Sequence, residues 1–304
     1  MPNLFRFLFL SFLFLSGLSH AEEASEEKKT VMVSILPHRF FVQKIAGDSL
    51  NIEVLVPQGV SSHTFEPTPQ QMIKALKAEV WFTMGDVFEP KLQSALLSKN
   101  PNMKIVDTRK GIQLIQESCC SHGGCHVHGS DPHVWLSPKA AIIQAKTISS
   151  ALIEQFPEHK EAYEKGLEGL VRELEELDKT IPAMLNGDIP FTVIVSHPAF
   201  AYYQREYGVR QVSIESEGRE PTPKQLTYLL REIEKLPVNA IFMVPQHANK
   251  GAQLIAKHLG VNVIVIDPYA EDYIKNLLYI TKSFHDSLKK KNVEAPSNSE
   301  TEPL

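Results

Sequence analysis

The sequence predicts an α/β fold: two lobes of parallel β-sheet flanked by helices and joined by one long linker helix. Short apolar runs rich in Val and Ile occur four times in each half of the chain. Several are near-continuous rather than alternating, as strands buried on both faces are. Segments of helical period lie between most of them, and strand–helix alternation on this scale makes parallel sheets with helices on both faces. Between the halves, about 50 residues show helical period and no strand signal. The chain has the material for two such lobes, with 304 residues of which 43% are hydrophobic. Its net charge of −5, without a basic block, argues against nucleic acid as a partner. Three cysteines, at 119, 120 and 125, do not make a disulfide scaffold.

Residues 1–21 read as a secretory signal peptide. Arg6 gives a positive start, a Phe- and Leu-rich run extends to Leu15, and Ser19 and Ala21 fit the small-x-small cleavage rule. The run is short for a membrane span, so cleavage is expected rather than a retained anchor. No Cys sits near the cut to carry a lipid, and a soluble, periplasmic, monomeric protein is expected. The first lobe, 22–137, has strands expected at 31–35, 52–56, 80–84 and 104–106, with helices over 38–47, 68–78 and 88–99. Ser137 and Pro138 then open the linker, 138–186. Its first helix carries Ile142, Ile143, Ile148, Leu152 and Phe156 and is broken by Pro157; its second carries Leu167, Leu170, Leu174, Leu177 and Ile181 as one apolar stripe up to Pro182. The second lobe, 187–288, has strands expected at 191–195, 210–214, 240–244 and 262–266, with helices over 198–207, 223–236, 249–259 and 272–290. The polar tail, 289–304, is expected to be disordered.

Four residues stand out by position. His63 lies in a Ser- and Pro-rich loop after a strand. His133 lies in SDPHVWLSP, where the chain crosses between lobes and Trp135 can anchor it. His197 follows a buried strand directly, with Pro198 opening a helix. Asp267 follows the last strand. Each alone has an ordinary reading: loop residues for the first two, a helix-terminus residue for His197, a helix N-cap for Asp267. Together they fall near the carboxyl ends of strands and at the lobe junction, where open parallel sheets bind ligands. Three imidazoles and a carboxylate suit Zn²⁺, whereas Ca²⁺ and Mg²⁺ want oxygen donors. The long gaps between the four match no local zinc motif.

The segments SILPHRFFVQKIAGD, VPQGVSSHTFEPTPQQM, DPHVWLSP, SHPAFAYYQREYG, EGREPTPKQL and VIDPYA, in this order, resemble the metal-binding solute-binding proteins of bacterial ABC transporters, the zinc/manganese-uptake family called cluster A-I. The resemblance covers roughly residues 30–288. It implies two lobes joined by a long helix, a metal ion between them, and delivery to an inner-membrane permease driven by a cytosolic ATPase. The family's four ligand positions fall on His63, His133, His197 and Asp267. Manganese-type members usually carry Glu at the third, so His197 resembles the zinc-type arrangement. A third nitrogen suits Zn²⁺ over Mn²⁺, and Zn²⁺ outbinds Fe²⁺ at a common site, with Mn²⁺ and Fe²⁺ kept as alternatives.

Two departures matter. Where the family often has Glu-Pro-Gln after the penultimate strand, this chain has Val244-Pro245-Gln246 and then His247, which is not taken as a ligand. The long His- and acid-rich loop of zinc-type members is reduced to ESCCSHGGCHVHGSDPH. That stub holds Cys119, Cys120, His122, Cys125, His126 and His128. It reads either as an auxiliary site for Zn²⁺ or Cu⁺ or as a small disulfide in an oxidising compartment. His38 is read as a neighbour of the cleft or a surface residue, and Glu66 and Glu217 as possible orienters of ligating histidines. No catalytic residue is assigned. H-E-x-x-H, G-x-S-x-G and P-loop patterns are absent, which speaks against an exported zinc hydrolase, and nothing in the residues supports an adhesin.

Overall fold

The computed structural model describes residues 28–119, 126–215, 220–247 and 249–288. The expected leader and tail lie outside them. Strands β1 (Thr30–Val33), β2 (Asn51–Val54), β3 (Val80–Thr83) and β4 (Lys104–Asp107) form a parallel sheet in the order β2-β1-β3-β4. In the second half, β7 (Phe191–Val195), β8 (Val209–Ser213), β9 (Ala240–Met243) and β10 (Asn262–Val265) form another, in the order β8-β7-β9-β10. The two sheets therefore share one topology. Between them, β5 (Gln116–Cys119) and β6 (His126–Ser130) pair as an antiparallel hairpin, so the arms of the Cys/His stub are strands rather than loop.

A sequence echo marks the shared topology. Glu66-Pro67-Thr68-Pro69-Gln70-Gln71 leads from β2 into α2 (Pro69–Ala75), and Glu220-Pro221-Thr222-Pro223-Lys224-Gln225 leads from β8 into α7 (Pro223–Ile233). In each, the Thr hydroxyl accepts from the N–H of the Gln three residues on, and that Gln's carbonyl accepts from the Thr N–H. Such a capping box satisfies two backbone donors that a helix start leaves without partners.

Most strands stop one or two residues before their expected ends. The first was expected to reach Ile35, but Ser34 and Ile35 already turn into α1 (Leu36–Ala46), whose first turn holds Pro37. The central strands are dry: Val31–Val33 and Val80–Phe82 are fully buried. One continuous apolar core runs from the first sheet through the linker helices into the second half. On β7, Val193 and Val195 face that core, while Ile194 faces a smaller cluster with Ile214, Ile233, Ile241 and Ile255. Period-two alternation puts successive residues of a strand on opposite faces.

The linker is α4 (Pro138–Gln155) and α5 (Lys160–Leu185). Ser137 caps α4 by accepting from Ala140 N–H. With 26 residues, α5 is about 39 Å long. Its buried stripe of Leu170, Leu174, Leu177 and Ile181 follows the expected period, and α5 packs on both α1 and α9 (Tyr273–Asp286), one helix from each half. The helix does not stop at Pro182, where the sequence suggested an end, but runs to Leu185. Proline there removes only one hydrogen bond of the last turn. Asn186, in the left-handed conformation, closes the turn by donating its N–H to the carbonyls of Pro182 and Ala183. Among the described residues no helix is long and apolar enough to cross a membrane.

His38 is neither at the surface nor beside solvent; it is fully buried on α1. Gln144 on α4 donates one amide hydrogen to His38 Nε2 at 3.0 Å and the other to Thr108 Oγ1 at 3.0 Å, and Thr108 in turn donates to the Thr83 carbonyl. The chain of donors points at Nε2, so the imidazole must stay neutral there. Burial pulls its pKa down to about 3, against a smaller upward pull from Asp107. In the unfolded chain the same group titrates near pH 6.5. Below that pH the unfolded state takes up a proton that the folded state refuses, so this contribution to stability is complete above about pH 6.5 and is lost as pH falls toward about 3. Denaturant melts should show His38 alone costing about 2 kcal/mol between pH 7 and pH 5. His38→Gln should flatten that slope; an unchanged slope would show that His38 does not titrate this way.

Candidate metal centre

The three histidines singled out in the sequence meet. His63 stands in a one-turn helix, Ser62–Thr64, in the loop after β2. His133 follows β6 at the entry to the linker, and His197 follows β7. Two of these positions are carboxyl ends of parallel strands, one in each lobe, and the third is the crossing between lobes. His197 Nε2 lies 3.3 Å from His63 Nε2 and 3.2 Å from His133 Nε2. The ring centroids are 5.1–5.5 Å apart. His133 and His197 are buried and His63 is half-buried.

Each ring is held from behind. Asp131 Oδ1 accepts from both the backbone N–H and Nδ1 of His133, each at 2.8 Å. Glu215 Oε1, just past β8, accepts from His197 Nδ1. Asp86, just past β3, places Oδ2 3.3 Å from His63 Nδ1. A carboxylate on one ring nitrogen fixes the tautomer and leaves the lone pair on the other. Burial pushes the Asp86 carboxyl up, but hydrogen bonds from His63, Ser62 and the Val87 N–H, with the charge of His63, outweigh it and hold the pKa below the usual range. His197 is held well below its usual value, first by burial and then by repulsion from His133, His247 and His63. It is therefore a neutral imidazole, the form that binds a cation.

Asp267 follows β10 as expected but does not join the three Nε2 atoms. Its Oδ1 accepts from Gln246 Nε2 at 2.6 Å and from Tyr269 N–H at 2.9 Å. It is one link removed, because the Tyr269 hydroxyl donates to His133 Nε2 at 2.9 Å. The junction is anchored as Trp135 suggested: its Nε1 donates to the Pro268 carbonyl at 2.9 Å, and the Tyr273 hydroxyl donates to the Trp135 carbonyl.

The sequence did not single out Asp86, Asp131, Glu215 or Tyr269, and it named His247 only to set it aside as a ligand. The rule that a ligating imidazole needs a polar partner behind it predicted that partners exist, and offered Glu66 and Glu217 only beside the commoner reading of exposed carboxylates. Glu66 is exposed, and Glu217 lies outside the described residues. Asp131, two residues before His133, was the one partner within local reach. His247 stacks on His197 with centroids 3.6 Å apart and 16° between planes, and its Nδ1 lies 3.0 Å from Glu215 Oε1. Of the Cys/His stub, Cys120, His122 and Cys125 lie outside the described residues, and for Cys119, His126 and His128 only the strand backbone is described.

Known proteins share this fold and much of this sequence. The profile of the family described as zinc-uptake complex component A, periplasmic, matches residues 31–287. The chain is 32% identical over 282 residues to a putative metal-binding protein of Chlamydia trachomatis serovar D, covering 92% of this chain and 99% of that one. It is 28% identical over 297 residues to the high-affinity zinc uptake system protein ZnuA of Bacillus subtilis strain 168, covering 93% and 91%. A crystal structure of ZnuA superposes with a TM-score of 0.81 at 32% identity, over 86% of this chain and all of that one. A zinc-bound ZnuA carrying a deletion of its residues 138–173 superposes with a TM-score of 0.79 at 32% identity, over 87% of this chain. With two same-order parallel sheets, a long helix packed on both halves and a histidine cluster at the strand ends, the chain belongs to the zinc-uptake complex component A family, whose members are metal-binding receptors of ABC uptake systems and not enzymes.

Proposed function

We propose that this protein captures Zn²⁺ between its two lobes and hands it to an inner-membrane permease driven by a cytosolic ATPase. One observation carries the choice of pocket. Ligands about 2.0–2.1 Å from a tetrahedral Zn²⁺ stand about 3.3 Å from one another. The Nε2 atoms of His63, His133 and His197 are spaced at 3.2–3.3 Å along two edges of such a tetrahedron. Asp267 supplies the fourth donor once the Tyr269 hydroxyl leaves His133 Nε2. Three nitrogens and one oxygen favour Zn²⁺ over Mn²⁺, and Irving–Williams order favours it over Fe²⁺. The zinc uptake named for the Bacillus subtilis relative and the zinc bound in the similar ZnuA structure support the same ion. The protein works as a periplasmic monomer, released from residues 1–21, with its lobes at 22–137 and 187–288 and the linker at 138–186.

The test is a metal competition titration on stripped protein beginning at Glu22, offered Zn²⁺, Mn²⁺ and Fe²⁺ and read as bound metal per chain. One tight Zn²⁺ that Mn²⁺ does not displace is expected. Preference for Mn²⁺ or Fe²⁺ would leave the receptor and change its cargo; no tight site would sink the proposal. Deleting residues 119–128 should leave tight binding within about threefold, because the pocket histidines and their carboxylates come from other segments. Loss of tight binding on that deletion would move the site to the Cys/His stub.

A further inference from the structure

Beside the three-histidine pocket lies a second group of donors. A donor atom from each of His197, Glu215 and His247 lies within 4.8 Å of the other two. All three side chains are buried, at 2–3% exposure. One oxygen of Glu215 faces the Nδ1 atoms of both imidazoles. Among the described residues, the other oxygen, Oε2, and His247 Nε2 are buried with no hydrogen-bond partner, and so are Gln246 Oε1 and Asn249 Oδ1 on the segment that carries His247. Buried polar groups are nearly always satisfied, and a cluster of orphaned donors and acceptors marks a place built for something else to bind. Two imidazoles and a carboxylate with a donor atom of each within 4.8 Å of the others, and with a ring nitrogen and a carboxylate oxygen left unpartnered among the described residues, offer what a cation requires. A merely structural pair would not leave both of them bare, because an unsatisfied buried polar group loses its hydration without compensation.

We propose that His197, Glu215 and His247 form a second seat for the divalent cation, next to the three-histidine pocket and sharing His197 with it. The inference rests on the reading of that pocket as the cation site. Because His197 belongs to both, one ion occupies one seat or the other. The donor set of two imidazoles and a carboxylate accepts Zn²⁺ and other borderline cations. It has one nitrogen fewer than the first pocket and binds more weakly. The arrangement answers a problem every receptor of a tightly held ion faces. Moving the ion between seats exchanges ligands in steps, with His197 as pivot, instead of breaking all bonds at once.

The experiment separates the two seats. His63→Ala/His133→Ala removes two donors of the first pocket and none of the second. Zn²⁺ affinity is measured by competition with a chromophoric chelator, and Co²⁺ binding by its visible absorption bands. Far-UV circular dichroism and a thermal melt confirm that each variant is folded. The double variant should still hold one Co²⁺ or Zn²⁺ per chain, at much lower affinity than the unaltered protein. Adding His247→Ala should weaken this residual binding at least tenfold and change or abolish the Co²⁺ spectrum; adding Glu215→Gln should do likewise. If the double variant binds no metal, or if it and the triple variant bind alike, the second seat does not exist. Should His247→Ala disturb folding, His247→Gln replaces the imidazole in the same comparison. The pocket reading is judged separately, on the unaltered protein against the double variant, so its failure cannot be mistaken for failure of the second seat.

Discussion

His197→Ala should abolish tight cation binding. Zinc sites with four ligands are worth about 10–16 kcal/mol in all, so one ligand accounts for about 3 kcal/mol, and losing it should weaken binding at least about 100-fold. His197 should exceed that average. Its Nε2 is the atom from which both other pocket nitrogens are measured, and its neutral state is enforced by burial and three neighbouring imidazoles. Glu215 would also lose the partner that satisfies its Oε1 most closely. The matched control is His258→Ala, because His258 is exposed and paired with Glu234 at 2.8 Å far from the pocket in the fold. Competitive titration of both variants, with a melt to confirm folding, gives the result. Equal affinity for the two would show that the pocket does not hold the ion.

Gly166→Ala should destabilise the fold by about 3 kcal/mol. A Cβ at this position on α5 would stand 2.3 Å from the Ile45 carbonyl oxygen on α1. The obstacle is backbone, not the end of a flexible side chain, so the helices themselves must separate. Alanine's better helix propensity returns only about 1 kcal/mol, so overpacking wins. Because α5 also packs on α9, a displaced α5 loosens both halves together. A denaturant melt should show the midpoint lowered with the slope unchanged. Gly169, on the same helix, meets nothing closer than 4.0 Å, and Gly169→Ala should be neutral or slightly stabilising. Similar melts for the two variants would contradict the close helix contact.

The local grammar of this chain was readable without coordinates. Apolar runs rich in Val and Ile announced the eight strands of the two sheets, the edge strands β2, β4 and β10 being less buried than the inner ones, and the spacing of Leu170, Leu174, Leu177 and Ile181 announced the buried stripe of α5, because such patterns follow from backbone geometry. His63, His133 and His197 were readable as candidates, because strand ends and crossings are where parallel sheets gather ligands. Their ordering in space was not. That His197 Nε2 stands between the other two depends on how the lobes seat against α4 and α5, and no spacing along the chain encodes it. The carboxylates behind the rings show the same division. Asp131 is two residues from its histidine and was within local reach, whereas Glu215 is 18 residues from His197 and Asp86 is 23 from His63, joined only through the strand order of separate sheets. His38 and His247 were both named in the sequence, but nothing along the chain told their environments apart. Burial against Gln144 made one a neutral core residue, and stacking on His197 made the other a neighbour of the three-histidine cluster. Apart from the β5–β6 hairpin, sequence alone thus determined which segments become strands and helices and which side chains stand at their ends, since those are properties of neighbouring residues. Only tertiary structure decided which of those side chains meet, because contacts between remote segments are set by packing of the whole core.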